Sequence, residues 1–181
     1  MECSMKKIID YLKLAVLIFG VLIGVQIPGF VSQYGQNLDA RVAESSQGLS
    51  QFQDDADQYF NGSLEQLLKH YARNQDPVIV AGGKSIKTLV ARNQMLTQAQ
   101  SNFHQSRYSP YLQVFVSPIS EIRQDVWNHY EYKVILNAEA ISIGAIFGLM
   151  VLALSELVLF ILSLLLKSLL GKPYKANRKM R

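Results

Sequence analysis

Polarity along the chain changes in three blocks. Residues 140 to 166, AISIGAIFGLMVLALSELVLFILSLLL, run for 27 residues with one ionisable side chain, Glu156. A hydrocarbon core of roughly 30 Å needs about 20 apolar residues rising about 1.5 Å each, so this run predicts a membrane span. A second apolar run, LAVLIFGVLIGVQI at residues 14 to 27, precedes Pro28 and Gly29. It has the charged start and apolar middle of a signal peptide, but no small-residue cleavage site follows before Pro28. It is therefore expected to be a retained first span, its helix beginning near Ile8 and broken at Pro28-Gly29.

Between the spans the pattern turns amphipathic. Val31, Tyr34, Leu38, Val42, Leu49, Phe52, Ala56 and Tyr59 fall in one stripe about 100° wide at helical spacing, which predicts a long helix over residues 31 to 60. Asn61-Gly62 is expected to stop it. Ser63 with Gln66 three positions on resembles a capping box for a second helix, whose apolar face is Leu64, Leu67, Leu68 and Tyr71. Asp76-Pro77 ends that helix and Gly82-Gly83 predicts a loop. A third helix is expected from about Ser85 to Gln105, with Ile86, Leu89, Val90, Leu96, Ala99 and Phe103 inward. Residues 111 to 116, YLQVFV, fit either a strand or a short helix. After Pro118, Ile119, Ile122, Val126 and Tyr130 make a last apolar face, and Trp127, Tyr130 and Tyr132 stand where an aromatic interface belt is expected.

The predicted fold class is an all-α membrane protein: two transmembrane helices flanking an extracytoplasmic antiparallel helical bundle. The expected divisions are a cytoplasmic N-terminus at residues 1 to 13, a first span at 14 to 29, a helical domain at 30 to 137, a second span at 138 to 166 and a basic tail at 167 to 181. Charge sets the orientation. Residues 30 to 137 carry 9 Lys and Arg against 10 Asp and Glu, whereas Lys167, Lys172, Lys175, Arg178, Lys179 and Arg181 form a tail without an acidic residue. With Lys6, Lys7 and Lys13 at the other end, the positive-inside rule places both termini in the cytoplasm and the central domain across the membrane. The tail residues are candidate contacts for anionic lipids.

Catalytic and ligand chemistry finds little support. Cys3 is the single cysteine, so an intrachain disulfide is excluded. AGGKS at residues 81 to 85 resembles the end of a phosphate-binding loop, but the required first glycine is replaced by Val78. His70, His104 and His129 fall on three predicted helices without metal-ligand spacing. Neither a nucleophile elbow nor any other catalytic signature is present. No catalytic residue, metal, cofactor or nucleic-acid partner is expected.

The spans carry the informative residues. Gly20 and Gly24 in the first and Gly144 and Gly148 in the second each make a GxxxG face, which lets another backbone approach closely. Both pairs could close one hairpin, or one pair could join neighbouring subunits. Glu156 is a carboxylate in an apolar helix, costing about 3 kcal/mol at the centre of a span unless it faces a partner. An ion pair with Lys13 at a similar level is the favoured arrangement; an interhelical hydrogen bond and an ion or proton path are the alternatives.

GVQIPGFVSQYGQNL at residues 24 to 38, FNGSLEQLLKHY at 60 to 71, LVAR at 89 to 92 and VWNHYEY at 126 to 132 are similar to the bacterial two-pass membrane proteins of domain-of-unknown-function family 2937. The resemblance implies a bacterial inner-membrane protein with a periplasmic insert, and it implies no activity. The expected function is structural or accessory: a non-enzymatic protein that meets membrane lipids and forms a homo-oligomer or joins a larger membrane complex. A periplasmic sensor relaying through a partner and an oligomeric ion pathway through Glu156 are the competing expectations.

Overall fold

The computed structural model describes residues 2–130 and 137–169, with side chains from 7 to 130 and from 137 to 166. Its described residues form helices joined by short turns, with no strand among them. The helices are α1 (Glu2–Gly24), α2 (Ile27–Tyr59), α3 (Leu64–Ala72), α4 (Pro77–Phe103), α5 (Ser109–Phe115), α6 (Ser120–Asn128) and α7 (Ala138–Leu169). They sort into two compact units, one of residues 1–29 with 132–181 and one of Phe30–Glu131.

The first unit is a pair of long apolar helices. Both α1 and α7 are long and apolar enough to cross a membrane, and the most apolar stretch of α7 has no buried residue. An aqueous core helix would hide those side chains. The α1 helix starts at Glu2, earlier than the expected Ile8, and ends at Gly24, four residues before the expected break at Pro28-Gly29. The interruption is at Val25 and Gln26, where the Gln26 N–H donates to the Ile23 carbonyl and its side-chain amide to the Leu22 carbonyl. Pro28 falls in the first turn of α2, where helix N–H groups lack an intrahelical acceptor and a missing donor costs nothing. At the start of α7, the Asn137 side-chain oxygen accepts from the Ala140 N–H at 2.7 Å.

The second unit is built on α2 and α4. Asp39 accepts a hydrogen bond from Gln100, Ser46 accepts one from Asn93, and Tyr34 stacks on Phe103. Rising numbers on α2 meet falling numbers on α4, so the two helices are antiparallel. Tyr34, Leu38, Leu96, Val114, Ile122 and Val126 are fully buried, drawing α2, α4, α5 and α6 into one core. The Tyr34 hydroxyl accepts the Ile119 N–H at 2.9 Å, satisfying the end of α6 from inside that core. The expected stripe on α2 is buried at Val31, Tyr34, Leu38, Leu49 and Ala56, while Tyr59 at the helix end is exposed.

Local signals act as read at the α2–α3 corner. Asn61 and Gly62 adopt positive φ, the Gly62 N–H reaches back to the Ala56 carbonyl, and Ser63 Oγ accepts from the Gln66 N–H. Two expectations are corrected. Helix α4 begins at Pro77 rather than near Ser85, and Gly82-Gly83 lies inside it rather than in a loop. Asp76 caps the helix by accepting from the Val78 N–H, and Pro77 suits its first position, so nucleation precedes the glycines. Residues 111 to 116 lie largely in α5: Pro110 is in the first turn of that helix, and no second strand is present among the described residues to pair with an extended segment.

Gly83 also explains its own presence, because an added methyl would come 2.6 Å from Tyr71 Cβ of α3, whereas one at Gly82 would meet nothing within 4 Å. The two neighbours should therefore respond oppositely to alanine. Gly82→Ala is expected to stabilise by about 0.5–1 kcal/mol, by removing a helix-interior glycine. Gly83→Ala is expected to destabilise by about 1–3 kcal/mol through overpacking. Thermal unfolding of the detergent-solubilised chain followed by circular dichroism checks the sign of each.

Candidate functional site

The residues singled out in the apolar helices meet in one seam. A methyl on Gly20 would lie 2.9 Å from the Gly148 Cα, and one on Gly24 would lie 2.8 Å from the Gly144 Cα. Real side chains do not tolerate such contacts with backbone, so the four glycines are what allow α1 and α7 to touch. Within the chain the two GxxxG faces pack on each other, the one-hairpin arrangement of the two that were expected. Valines close the gap between glycines, with Val21 over Gly148 and Val25 over Gly144. Such close backbone approach gives the two helices van der Waals contact along the whole seam.

The seam also sets the register that carries the charged residues. Four residues forward on α1, from Gly20 to Gly24, match four back on α7, from Gly148 to Gly144. Seven back on α1 reach Lys13, and eight forward on α7 reach Glu156. Lys13 Nζ accordingly lies 2.6 Å from Glu156 Oε1, with 40% and 52% of the two side chains exposed. The carboxylate that stood alone in the apolar sequence has its counter-charge on the adjacent helix. Other polar groups on α7 turn inward on their own backbone: Ser142, Ser155 and Ser163 donate to the Ala138, Leu152 and Phe160 carbonyls. Lys167 belongs to the last turns of α7. Lys172, Lys175, Arg178, Lys179 and Arg181 lie outside the described residues, as does Tyr132.

The helical unit holds an ionic cluster that sequence reasoning missed. Arg41 on α2 bonds Glu121 and Asp125 of α6, Arg92 of α4 donates to Glu121 at 3.1 Å, and Asn37 donates to Asp125 at 2.8 Å. His129 completes it, 3.2 Å from the Asp125 carboxylate. Hydrogen bonds from Arg92 and Arg41 hold the Glu121 carboxyl below its ordinary pKa, and those from Asn37 and Arg41 do the same for Asp125. A weak signal existed: Asn37 and Arg41, and Glu121 and Asp125, are each spaced four apart on one helix face. Nothing local tells which faces will meet.

The remaining candidates separate. His70 packs on the Phe60 ring, His104 lies 3.3 Å from Asp39 and His129 belongs to the ionic cluster, so the histidines do not converge. The described residues contain no group of three metal-ligating side chains. AGGKS is helical, without the backbone curl that holds a phosphate. Trp127 and Tyr130 stand edge-on to Phe30, with ring centroids 5.9 and 5.5 Å away.

Two outcomes follow from this geometry. Gly148→Leu should lower the unfolding midpoint of the detergent-solubilised chain by several degrees, whereas Ala145→Leu, on the exposed face of α7, should leave it nearly unchanged; differential scanning fluorimetry compares them. The second concerns pH. Because Glu121 and Asp125 have lowered folded-state pKa values, their contribution is present above the ordinary carboxylate range of about 4 and is lost as pH falls through the folded values. Arg41→Gln should flatten that acid-side loss, as read by melts of the helical unit between about pH 6 and pH 3.

No curated protein and no solved structure among those compared with the chain matches it. A family model does match, over residues 8–168, a range that takes in the glycine seam, the Lys13–Glu156 pair and the whole helical unit. The chain belongs to the family described as Protein of unknown function (DUF2937).

Proposed function

We propose that this protein is a non-enzymatic structural or accessory protein of a bacterial inner membrane. In this reading α1 and α7 cross the membrane, both termini are cytoplasmic and the helical unit is periplasmic. It acts by self-association or by docking on a larger membrane complex. The observation that carries the reading is the glycine seam. An apolar helix that packs so closely on a second one in the same chain is suited to stay with it, which favours α1 as a retained span over a cleaved signal.

Depth fits as well. Counting about 1.5 Å per residue from Ala138, Glu156 lies about 27 Å along α7, close to the thickness of a roughly 30 Å hydrocarbon core. The half-exposed ion pair then sits by the cytoplasmic headgroups, with Lys6, Lys7 and the Lys167 to Arg181 tail beyond it as contacts for anionic lipid. Its engagement with Lys13 favours a fastening role for Glu156 over proton transfer. The ionic cluster of the helical unit is of the same kind, since its cations and carboxylates tie three helices together.

Because both GxxxG faces are used inside the hairpin, further subunits would meet its outward aliphatic surfaces or the helical unit. Native mass spectrometry of the complex extracted gently from its own membrane tests this. The expected result is a homo-oligomer or a stoichiometric partner; a monomer with no co-purifying protein would overturn the proposal.

A further inference from the structure

One face of the helical unit is too apolar for water and too open to be core. A groove of about 520 Å³ is lined by Phe30 of α2, Val114 and Phe115 of α5, and Arg123, Gln124 and Trp127 of α6. Trp127 is 75% exposed and Phe115 57%, and the next residue, Val116, is 75% exposed. Large aromatic side chains gain by leaving water, so a contiguous exposed group of them marks a surface that something covers.

Connectivity points to the covering material. Phe30 is six residues beyond Gly24, the end of α1, and six residues reach at most about 21 Å even when fully extended. Tyr130, whose ring meets Phe30, is eight residues before the start of α7. The face thus occupies the part of the helical unit where the chain enters from one apolar helix and leaves toward the other. Its composition matches that place. Tryptophan and tyrosine favour the boundary between acyl chains and headgroups, where the ring is apolar and the N–H or O–H is wet. Arg123 lies on the groove wall and is paired with no carboxylate among the described residues. A guanidinium there suits a lipid phosphate, which it can meet with two parallel hydrogen bonds.

We propose that this groove is a lipid-docking face, by which Phe30, Phe115 and Trp127 enter the headgroup and acyl boundary of a phospholipid bilayer while Arg123 meets the phosphates. The inference rests on the reading of α1 and α7 as membrane spans. It gives the helical unit a role beyond display, since it would lie on the membrane surface and respond to lipid composition.

Trp127 is the single tryptophan of the chain, so its fluorescence reports this face without labelling. The full chain is reconstituted in vesicles of phosphatidylethanolamine and phosphatidylglycerol, with and without phosphatidylcholine brominated near the carbonyl end of its acyl chains. Brominated lipid is expected to reduce the emission about twofold, with acrylamide a poor quencher. Phe115→Ser should weaken the lipid quenching without changing helical content. Emission quenched by acrylamide and untouched by brominated lipid would overturn the proposal, as would a Trp127 shielded from both, which would mean a second copy or another protein covers the groove. An alkaline carbonate wash separates the two readings: loss of the chain from the vesicles overturns the membrane reading and this one together, whereas retention with a water-facing Trp127 overturns only the docking face.

Discussion

The contact on which the first unit depends is backbone against backbone at the glycine seam. Once Gly20 meets Gly148 and Gly24 meets Gly144, two helices have one allowed distance and one allowed register. The pairing of Lys13 with Glu156 then follows, because no other rotation or slide brings those side chains level. A charge that would be costly in an apolar helix is tolerated because steric fit elsewhere on the same helix has already placed its partner. The order of cause matters: a half-exposed ion pair is a weak organiser, and close packing is a strong one.

The helical unit solves a different problem with different means. Its core is largely aliphatic, with Leu38, Leu96 and Ile122 among its buried groups, and its interior is completed by Tyr34, buried yet satisfied because its hydroxyl accepts the Ile119 N–H. Gly35 leaves room beside it for the Phe103 ring, which a methyl at that position would meet at 2.7 Å. At the edge of this core the carboxylates of α6 are held by arginines from α2 and α4. Hydrophobic contact gathers the helices, and directional bonds at the rim fix which face of α6 turns inward.

The division between what was legible and what was not follows the range of the interactions. The two apolar helices, the Asn61-Gly62 stop, the Ser63 cap and the glycine faces depend on residues within a few positions of each other, and each could be read from spacing. At the start of α4 two local signals conflict: adjacent Gly82 and Gly83 suggest a loop, whereas the Asp76 cap and Pro77 nucleate the helix ahead of them and prevail. The helical state of residues 109 to 115 turned on the absence of a strand partner among the described residues, which is a tertiary fact. The ionic cluster joins positions 41, 92 and 121 across three helices, and spacing along one helix cannot name a partner on another.

A register held this tightly makes chain length as constrained as residue identity. One residue inserted between Lys13 and Gly20 would turn everything before it by about 100° around the helix and shift it by about 1.5 Å. Lys13 would leave the seam, and Glu156 would lose its counter-charge. The same insertion at the α2–α3 corner, where exposed Asn61 and Gly62 already leave the helical conformation, would only enlarge a surface turn. The apolar hairpin is thus the part of the molecule in which insertions and deletions are least tolerated, while its corners are where the chain is free to change length.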